Sequence, residues 1–263
     1  MPVWERTTVP LPDAILADVT AGEATWLVGY AWTSDGDFAP RATRRVNGAW
    51  TGDTAAGLPA PGRLDGIDAA AGRVWAVGTE NVHDTAGNLT GFRALAARWD
   101  GTAWRRARLP LVQDDHNRAT LNRVDVLPDG QVWAAGTCTR LSPDPDTQVT
   151  EPTGVVLHFD GTRWERFDVP EGSGHFTDLA VVDGSVWIAA ESGFDGAGVW
   201  TLHAEPPGHP TGLSGSLRAV AAGQSGTWTV GADFDDQGTY TPVAAGSPRP
   251  FESGGSTGPP TFR

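Results

Sequence analysis

Short apolar stretches separated by glycine-containing turns recur along the whole chain. A signature of Trp followed by small and apolar residues occurs five times, at Trp26-Leu27-Val28-Gly29, Trp75-Ala76-Val77-Gly78, Trp133-Ala134-Ala135-Gly136, Trp187-Ile188-Ala189-Ala190 and Trp228-Thr229-Val230-Gly231. An apolar pair precedes each copy, at Leu16 and Val19, Leu64 and Ile67, Leu121 and Val124, Phe176 and Leu179, and Leu217 and Val220. An apolar stretch, a tight turn and a second apolar stretch are typical of a β-hairpin.

A third signature follows in the first three repeats, at Asn47-Gly48-Ala49-Trp50, Asp100-Gly101-Thr102-Ala103-Trp104 and Asp160-Gly161-Thr162-Arg163-Trp164. It again indicates strand, tight turn and strand, so each repeat predicts four short antiparallel strands. The successive Trp signatures are 49, 58, 54 and 41 residues apart, and units of this size must pack on one another to bury both faces. The sequence therefore predicts an all-β fold, a five-bladed β-propeller of four-stranded antiparallel blades.

The predicted propeller is a single domain over residues 1–246, with blades at approximately 14–59, 60–110, 111–170, 171–215 and 216–246. Residues 3–9 are expected to complete the last blade as its outer strand. The reason is that Trp4-Glu5-Arg6-Thr7-Thr8-Val9-Pro10 matches Trp164-Glu165-Arg166-Phe167-Asp168-Val169-Pro170 at five of seven positions. Such closure removes an exposed sheet edge. Residues 247–263, rich in Gly, Pro and Ser, are expected to form a loosely held tail.

Composition narrows the possible functions. The chain carries 32 acidic residues against 19 basic ones, all of them Arg, for a net charge of −13. Such an acidic chain should repel nucleic acids and anionic membranes. The sequence contains no long apolar run and no apparent secretory leader, so no membrane association and a cytoplasmic location are expected. Cys138 is the single cysteine, which excludes an intramolecular disulfide. We expect a monomer.

The strand Trp75-Ala76-Val77-Gly78 followed by Trp99-Asp100-Gly101-Thr102-Ala103-Trp104 resembles the bacterial β-propeller repeats of Asp-box (sialidase-like) and photosystem-assembly-factor-like proteins. The resemblance covers nearly the whole chain at the level of architecture, although the Ser that precedes the Asp box is missing. It implies that Asp100 and Asp160 form turns rather than act in catalysis. Sialidase chemistry is not expected, because it needs a nucleophilic Tyr beside a Glu and an Arg triad, and the chain contains only Tyr30 and Tyr240.

The connections between strands differ between the two faces of the predicted propeller. With strands labelled a to d from the channel outward, the a–b and c–d turns are short. The d–a and b–c connections on the opposite face are long and varied, as at 79–92, 111–120 and 137–154. Variable loops on a regular scaffold are where binding residues concentrate. The ligand site is therefore expected on the d–a/b–c face, at the mouth of the central channel.

Polar residues near the starts of the inner strands are expected to line this mouth. The predicted ligand-binding residues are Asp18, Arg63, Asn122, Arg123 and Arg218, with Trp32 in a b–c loop. If the protein is an enzyme, the catalytic candidates are Asp65, His116, His175 and Asp178, since carboxylates beside His or Arg in a cleft can exchange protons near neutral pH. Asp–Arg pairs are equally typical of ion pairs that hold neighbouring blades together.

No cofactor and no metal are expected. The side chains that could offer ligands are those of His83, Asp35, Asp37, Asp233 and Asp235. Oxygen-rich loops can hold Ca²⁺, but none of these loops has a complete calcium-binding pattern. Acidic loops that keep the protein soluble explain the same residues.

Two functions remain open. The first is a ligand-binding propeller that recognises a small polar molecule, a sugar or a peptide at one central site. The alternative is an enzyme, such as a lyase, cyclase, isomerase or hydrolase of a biosynthetic pathway, that uses Asp, His and Arg groups at the channel mouth. The b–c loops differ in length and sequence, which favours one central site over five equal ones.

Overall fold

Each Trp signature forms a strand that pairs with the apolar segment upstream of it, as the hairpin pattern predicts. A computed structural model describes residues 6–111, 117–140, 152–167, 169, 173–191, 198–201, 216–223, 226–234 and 240–247. Within these residues every helix or strand element is a β-strand, and all strand pairs are antiparallel.

Three sheets have four strands each, in chain order. Sheet 1 contains β1 (Ala14–Ala21), β2 (Thr25–Trp32), β3 (Phe38–Val46) and β4 (Ala49–Trp50). Sheet 2 contains β5 (Gly62–Ala70), β6 (Arg73–His83), β7 (Leu89–Trp99) and β8 (Trp104–Arg106). Sheet 3 contains β9 (Asn117–Val126), β10 (Val132–Arg140), β11 (Thr153–Phe159) and β12 (Trp164–Phe167). We call these sheets units 1 to 3.

The remaining strands form one sheet, so the structure has four blades where five were predicted. This sheet contains β13 (His175–Val182), β14 (Ser185–Glu191), β15 (Gly198–Thr201), β16 (Ser216–Gly223), β17 (Gly226–Phe234) and β18 (Tyr240–Ser247). The fourth repeat (β13–β15, unit 4) and the fifth (β16–β18, unit 5) each contribute three described strands. They join because Glu191, at the end of β14, pairs with Ser216, at the start of β16.

The predicted closing strand is also not observed. Residues 6–9 form no strand, and in the described residues β18 pairs with β17 alone. Pro10, which follows at once, lacks the N–H that a sheet ladder needs. Residues 3–5 of the predicted strand, and residues 248–263 of the predicted tail, lie outside the described residues.

All five inner hairpins share one irregularity. The pairing register skips one residue of the inner strand, at Ala17, Asp65, Asn122, Thr177 and Arg218. The residue before this bulge pairs with the last residue of the Trp signature, as Leu64 does with Gly78. A Cβ atom on Gly78 would overlap the carbonyl oxygen of Arg63. The close approach of the two backbones therefore explains the glycine in four of the five signatures; the fourth has Ala190 at this position.

Four buried apolar clusters lie between successive units. In the first cluster, Trp26 and Val28 of β2 pack with Leu64 and Ile67 of β5. The second joins Trp75 to Leu121 and Val124, the third joins Trp133 to Phe176 and Leu179, and the fourth joins Ala189 to Leu217 and Val220. The inner strands β1, β5, β9, β13 and β16 are neighbours in this order. The units thus have a β-propeller arrangement, with the inner strands around a central channel.

Candidate active site at the channel mouth

The free edges of the inner strands are capped by carboxylates. In the described residues each of β1, β5 and β9 pairs with a single partner strand, so its other edge presents unpaired backbone groups to the channel. Four aspartates each accept a hydrogen bond from a backbone N–H of the next inner strand. The pairs are Asp18 with Ile67 (2.9 Å), Asp68 with Val126 (2.8 Å), Asp125 with Val181 (2.8 Å) and Asp178 with Val220 (2.9 Å).

Two of the bulged residues, Asn122 and Thr177, make the reverse contact. The amide of Asn122 donates to the carbonyl oxygen of Phe176 (2.6 Å), and the hydroxyl of Thr177 donates to that of Leu217 (2.8 Å). Both acceptors lie just before the bulge of the next inner strand. Polar residues in these otherwise apolar strands thus satisfy backbone groups of the neighbouring unit.

Arg123, in unit 3, contacts the three other units 1, 2 and 4 at one level of the channel. Its Nε lies 3.0 Å from Oδ1 of Asp178 in unit 4, and its Nη1 lies 3.1 Å from Oδ2 of Asp18 in unit 1. The same Nη1 donates a long hydrogen bond of 3.5 Å to the carbonyl oxygen of Asp65 in unit 2. The structure therefore brings together three residues that the sequence places in the mouth: Asp18, Arg123 and Asp178.

Asp65 and Arg63 form a second pair beside this cluster, with Nε of Arg63 3.1 Å from the carboxylate. Burial raises the pKa of Asp65 above its ordinary value, and Arg63 offsets this effect only in part. Burial likewise raises the pKa of Asp178, against the opposing effects of the Val220 N–H and Arg123. The mouth therefore combines two paired guanidinium groups with two carboxyl groups that hold protons more strongly than usual.

Asp68 and Asp125 were not among the predicted site residues. They occupy equivalent positions of β5 and β9, two residues beyond the level of Arg123. The hydroxyl of Thr20 donates to Asp68 (2.9 Å). Burial, together with the neighbouring carboxylate of Asp68, raises the pKa of Asp125 to about 6. The alignment of the inner strands is the sequence signal that could identify them, because it places both acids at the same position between two apolar residues.

The other predicted catalytic and ligand-binding residues do not join the Arg123 cluster by any described contact. His175 is exposed at the start of β13, opposite Glu191, and His116 lies outside the described residues. Arg218 is largely exposed and pairs with Glu191 at 3.1 Å. Asn122 caps the backbone of unit 4 as described above.

A separate group of side chains lies where the β2–β3 connection meets unit 2. Trp32 is 60% exposed, and its ring centroid lies 4.4 Å from that of Phe38. Asp37 accepts a hydrogen bond from the amide of Asn81 (2.6 Å), and its other oxygen lies 2.9 Å from Nε2 of His83. The structure thus joins Asp37 and His83, two of the predicted metal ligands, in one acid–imidazole pair.

The remaining predicted metal ligands do not assemble. Asp35 is exposed and accepts a hydrogen bond from the Thr33 hydroxyl. Asp233 lies on β17 opposite Thr241, and Asp235 lies outside the described residues. In the part of the chain that the structure describes, no group of three or more His, Cys, Asp or Glu side chains is arranged to hold a metal ion.

The described residues contain no helix long and apolar enough to cross a bilayer.

Comparison with known proteins finds similarity to solved structures alone. No family model matches the sequence, and no curated protein matches it. Solved structures do match. A β-fructofuranosidase of Bombyx mori in complex with sucrose is 12% identical, with a TM-score of 0.47 over 90% of this chain and 64% of that one. An α-L-arabinofuranosidase of Fusarium graminearum with arabinobiose is 10% identical, with a TM-score of 0.49 over 86% and 72%.

A third neighbour is an exo-β-1,3-galactanase of Phanerochaete chrysosporium, 9% identical with a TM-score of 0.45, covering 94% of this chain and 62% of that one. The chain therefore spans less than two thirds of the length of the fructofuranosidase and of the galactanase. The function of this propeller therefore has to be argued from its own residues.

Proposed function

We propose that this propeller binds a neutral, polyhydroxylated ligand of the sugar class at the mouth of its channel. The observation that carries the proposal is the Asp18–Arg123–Asp178 cluster, in which one guanidinium lies between two carboxylates at 3.0 and 3.1 Å. These side chains are partly exposed, so their outer hydrogen-bonding positions are open to a ligand.

The charge of the mouth favours a neutral ligand. Three carboxyl groups, of Asp18, Asp65 and Asp178, stand against the two guanidinium groups of Arg63 and Arg123, and both guanidiniums are already paired. An anionic ligand would have to compete with these carboxylates. A hydroxyl group both donates and accepts, so a polyol can satisfy carboxylate acceptors and guanidinium donors at once.

Binding assays with a matched pair of variants test the proposal. In Asp18→Asn, the amide oxygen can still cap Ile67, while the charge that faces the mouth is lost. In the control variant Asp68→Asn, the carboxylate that caps the N–H of Val126, deeper in the channel, is likewise replaced by an amide. A glycan array followed by calorimetry should find a neutral saccharide whose affinity falls about tenfold or more in Asp18→Asn, as expected for a lost charge-assisted hydrogen bond, and changes little in Asp68→Asn. Equal losses in both variants, or no saccharide binding in the wild type, would contradict the proposal.

The alternative is an enzyme at the same mouth. It is favoured by the raised pKa of Asp65 and of Asp178, since a carboxyl group that keeps its proton closer to neutral pH can act as a general acid. Incubation with chromogenic glycosides separates the two functions. Turnover that is lost in Asp65→Asn while saccharide binding persists would favour the enzyme.

A further inference from the structure

A cavity of about 480 Å³ lies between the outer strands of units 2 and 3, beside residues 107–110, which follow β8. We call it the outer cavity. Its volume is in the range of small-molecule sites. The side chains used below are apolar or cationic, and they are those of Trp75, Arg108, Leu109, Phe159, Arg163 and Trp164.

The floor of the outer cavity is a cluster of three aromatic rings that also occurs between units 1 and 2. The ring centroid of Trp75 lies 5.2 Å from that of Phe159 and 5.3 Å from that of Trp164. The equivalent rings between units 1 and 2 lie 5.2 to 5.6 Å apart and belong to Trp26, Trp99 and Trp104. The two clusters have the same geometry, so any difference between the two places comes from what covers the rings.

The chain segment that covers these rings is longer in unit 1 than in unit 2. The N–H groups of Thr54 and Ala107 donate to equivalent carbonyl oxygens of β3 and β7, those of Ala42 (2.7 Å) and Ala96 (2.8 Å). A Leu-Pro pair follows in both units, and it begins four residues after Thr54 but two residues after Ala107. The two segments therefore leave their sheets at the same point, and that of unit 2 is two residues shorter.

The longer segment of unit 1 lies directly on Trp104. The carbonyl oxygen of Ala56 accepts a hydrogen bond from the backbone N–H of Trp104 (3.1 Å), and a Cβ atom on Gly57 would overlap the carbonyl oxygen of Trp104. Residues 107–110 supply no backbone acceptor to the equivalent N–H of Trp164. The outer cavity thus takes the place of Ala56 and Gly57, and the N–H of Trp164 lacks the acceptor that Ala56 supplies in unit 1.

The rim of the outer cavity is basic, although the chain as a whole is acidic. Residues 93–108 contain five arginines and a single aspartate. Of the two guanidinium groups that line the cavity, that of Arg163 is paired with Glu165. The side chain of Arg108 is exposed and forms no ion pair or hydrogen bond with the described residues. Arg108 is therefore the cation of the rim that is available to an anionic ligand.

We propose that the outer cavity binds a small carboxylate with a flat apolar body, such as an aromatic acid. The body lies against Phe159 and Leu109, and the carboxylate accepts hydrogen bonds from the guanidinium of Arg108 and the backbone N–H of Trp164. A carboxylate suits these donors because it has two acceptor oxygens and the charge opposite to that of Arg108. This site lies on the outer strands and is independent of the ligand proposed for the channel mouth.

Calorimetric titration of the full chain with two probes tests the chemical class of the ligand. The probes are naphthoate, a flat aromatic carboxylate, and naphthalene methanol, its neutral counterpart. We expect saturable binding of naphthoate and an affinity about tenfold lower for the alcohol, as the loss of a charge-assisted hydrogen bond predicts. The absence of saturable naphthoate binding, or equal affinities for the two probes, would overturn the proposal.

A matched pair of variants tests the location of the site. Arg108→Gln should lower the naphthoate affinity about tenfold. Arg93→Gln removes an exposed arginine of β7 that does not line the outer cavity, and it should leave the affinity unchanged. Equal losses in the two variants would indicate a diffuse effect of charge and would overturn the proposal, as would no loss in either variant.

A change in the length of the covering segment tests the cavity itself. Insertion of Ala-Gly after Ala107 restores the length found in unit 1 and should abolish naphthoate binding. Thermal melting identifies whether this variant is folded, and undiminished binding by a variant that melts like the wild type would overturn the proposal. The comparison of Arg108→Gln with Arg93→Gln decides the question if the insertion prevents folding.

Discussion

The carboxylate of Asp18 accepts a hydrogen bond of 2.9 Å from the backbone N–H of Ile67, a residue of the neighbouring sheet. Three further aspartates, Asp68, Asp125 and Asp178, each make the same kind of contact with a backbone N–H of the unit that follows their own. An uncapped buried N–H costs roughly 1–3 kcal/mol, so these acids hold successive units in register. Asp18 and Asp178, which are candidate site residues, therefore also stabilise the contact between units. Variants must separate ligand binding from this structural role.

Asp125→Asn should stabilise the protein at neutral pH. The pKa of Asp125 is raised to about 6 from an ordinary value of 3.8, so its contribution to folding is fully present below about pH 4 and is lost as pH rises through 6. The Asn amide oxygen can still cap Val181 without the charge. We expect a gain of roughly 2 kcal/mol at pH 7.5 that vanishes near pH 4, measured by urea denaturation. The exposed turn residue Asp129 provides the control, and a gain in Asp129→Asn of the same size would contradict this account.

Arg123→Gln should destabilise the protein, because it leaves Asp18 and Asp178 without their shared cation. For a partly buried pair we expect a loss of roughly 2 kcal/mol at pH 7.5. The loss should shrink towards pH 4, where the Asp178 carboxyl, whose pKa burial already raises, takes up a proton. Arg105→Gln removes an exposed pair with Asp100 and should cost less. Equal losses in both variants would show that the Arg123 cluster has no special role in stability.

Asp160→Ala should weaken the c–d turn of unit 3. One oxygen of Asp160 accepts hydrogen bonds from the N–H groups of Thr162 and Arg163 and from the Thr162 hydroxyl. These bonds hold the pKa of Asp160 at about 2, so its contribution is present above pH 4 and lost as pH falls towards 2. The variant should melt at a lower temperature than the wild type at pH 7, and the difference should narrow below pH 4. Glu23→Ala, in an exposed turn, should show neither effect.

Gly78→Ala should be strongly destabilising, because the new methyl group would overlap the backbone of Arg63. Overpacking against a backbone that cannot move typically costs about 1–3 kcal/mol. Gly91→Ala is the matched control, since its nearest neighbour would be the flexible Arg118 side chain at 3.9 Å. Thermal melting should separate the two variants. A tolerated alanine at 78 would mean that the bulge can shift.

The hairpins could be predicted from the sequence because their signal is local. Each Trp signature and each upstream apolar pair lie within one hairpin, and the register of Leu64 opposite Gly78 follows from the turn. The blade count depended on contacts between repeats. One residue pair, Glu191 with Ser216, joins the fourth and fifth repeats into one sheet. Nothing in the local sequence pattern distinguishes that pair from an ordinary strand end.

The polar residues of the channel mouth could be predicted in part, because they also belong to the local repeat pattern. Asp18, Arg123 and Asp178 are polar residues in apolar strands, and the repeat places them around one axis. Their partners are mostly backbone groups of another unit, such as the N–H of Ile67. Every residue type except proline carries the same backbone groups, so the sequence does not show which of them a side chain contacts. Asp68 and Asp125 were missed because an acid that caps a distant N–H has the same local pattern as an acid in solvent.

Among the described residues, each of the four aspartate caps on the inner strands runs from one unit to the unit that follows it in the chain. The ribosome makes the chain in that same direction, so each new inner strand leaves the exit tunnel when the acid that will cap it has already been made. Loss of unit 1 would leave Ile67 without its cap, whereas loss of unit 5 would leave no described N–H uncapped. Truncation of the chain from its two ends should therefore have unequal consequences.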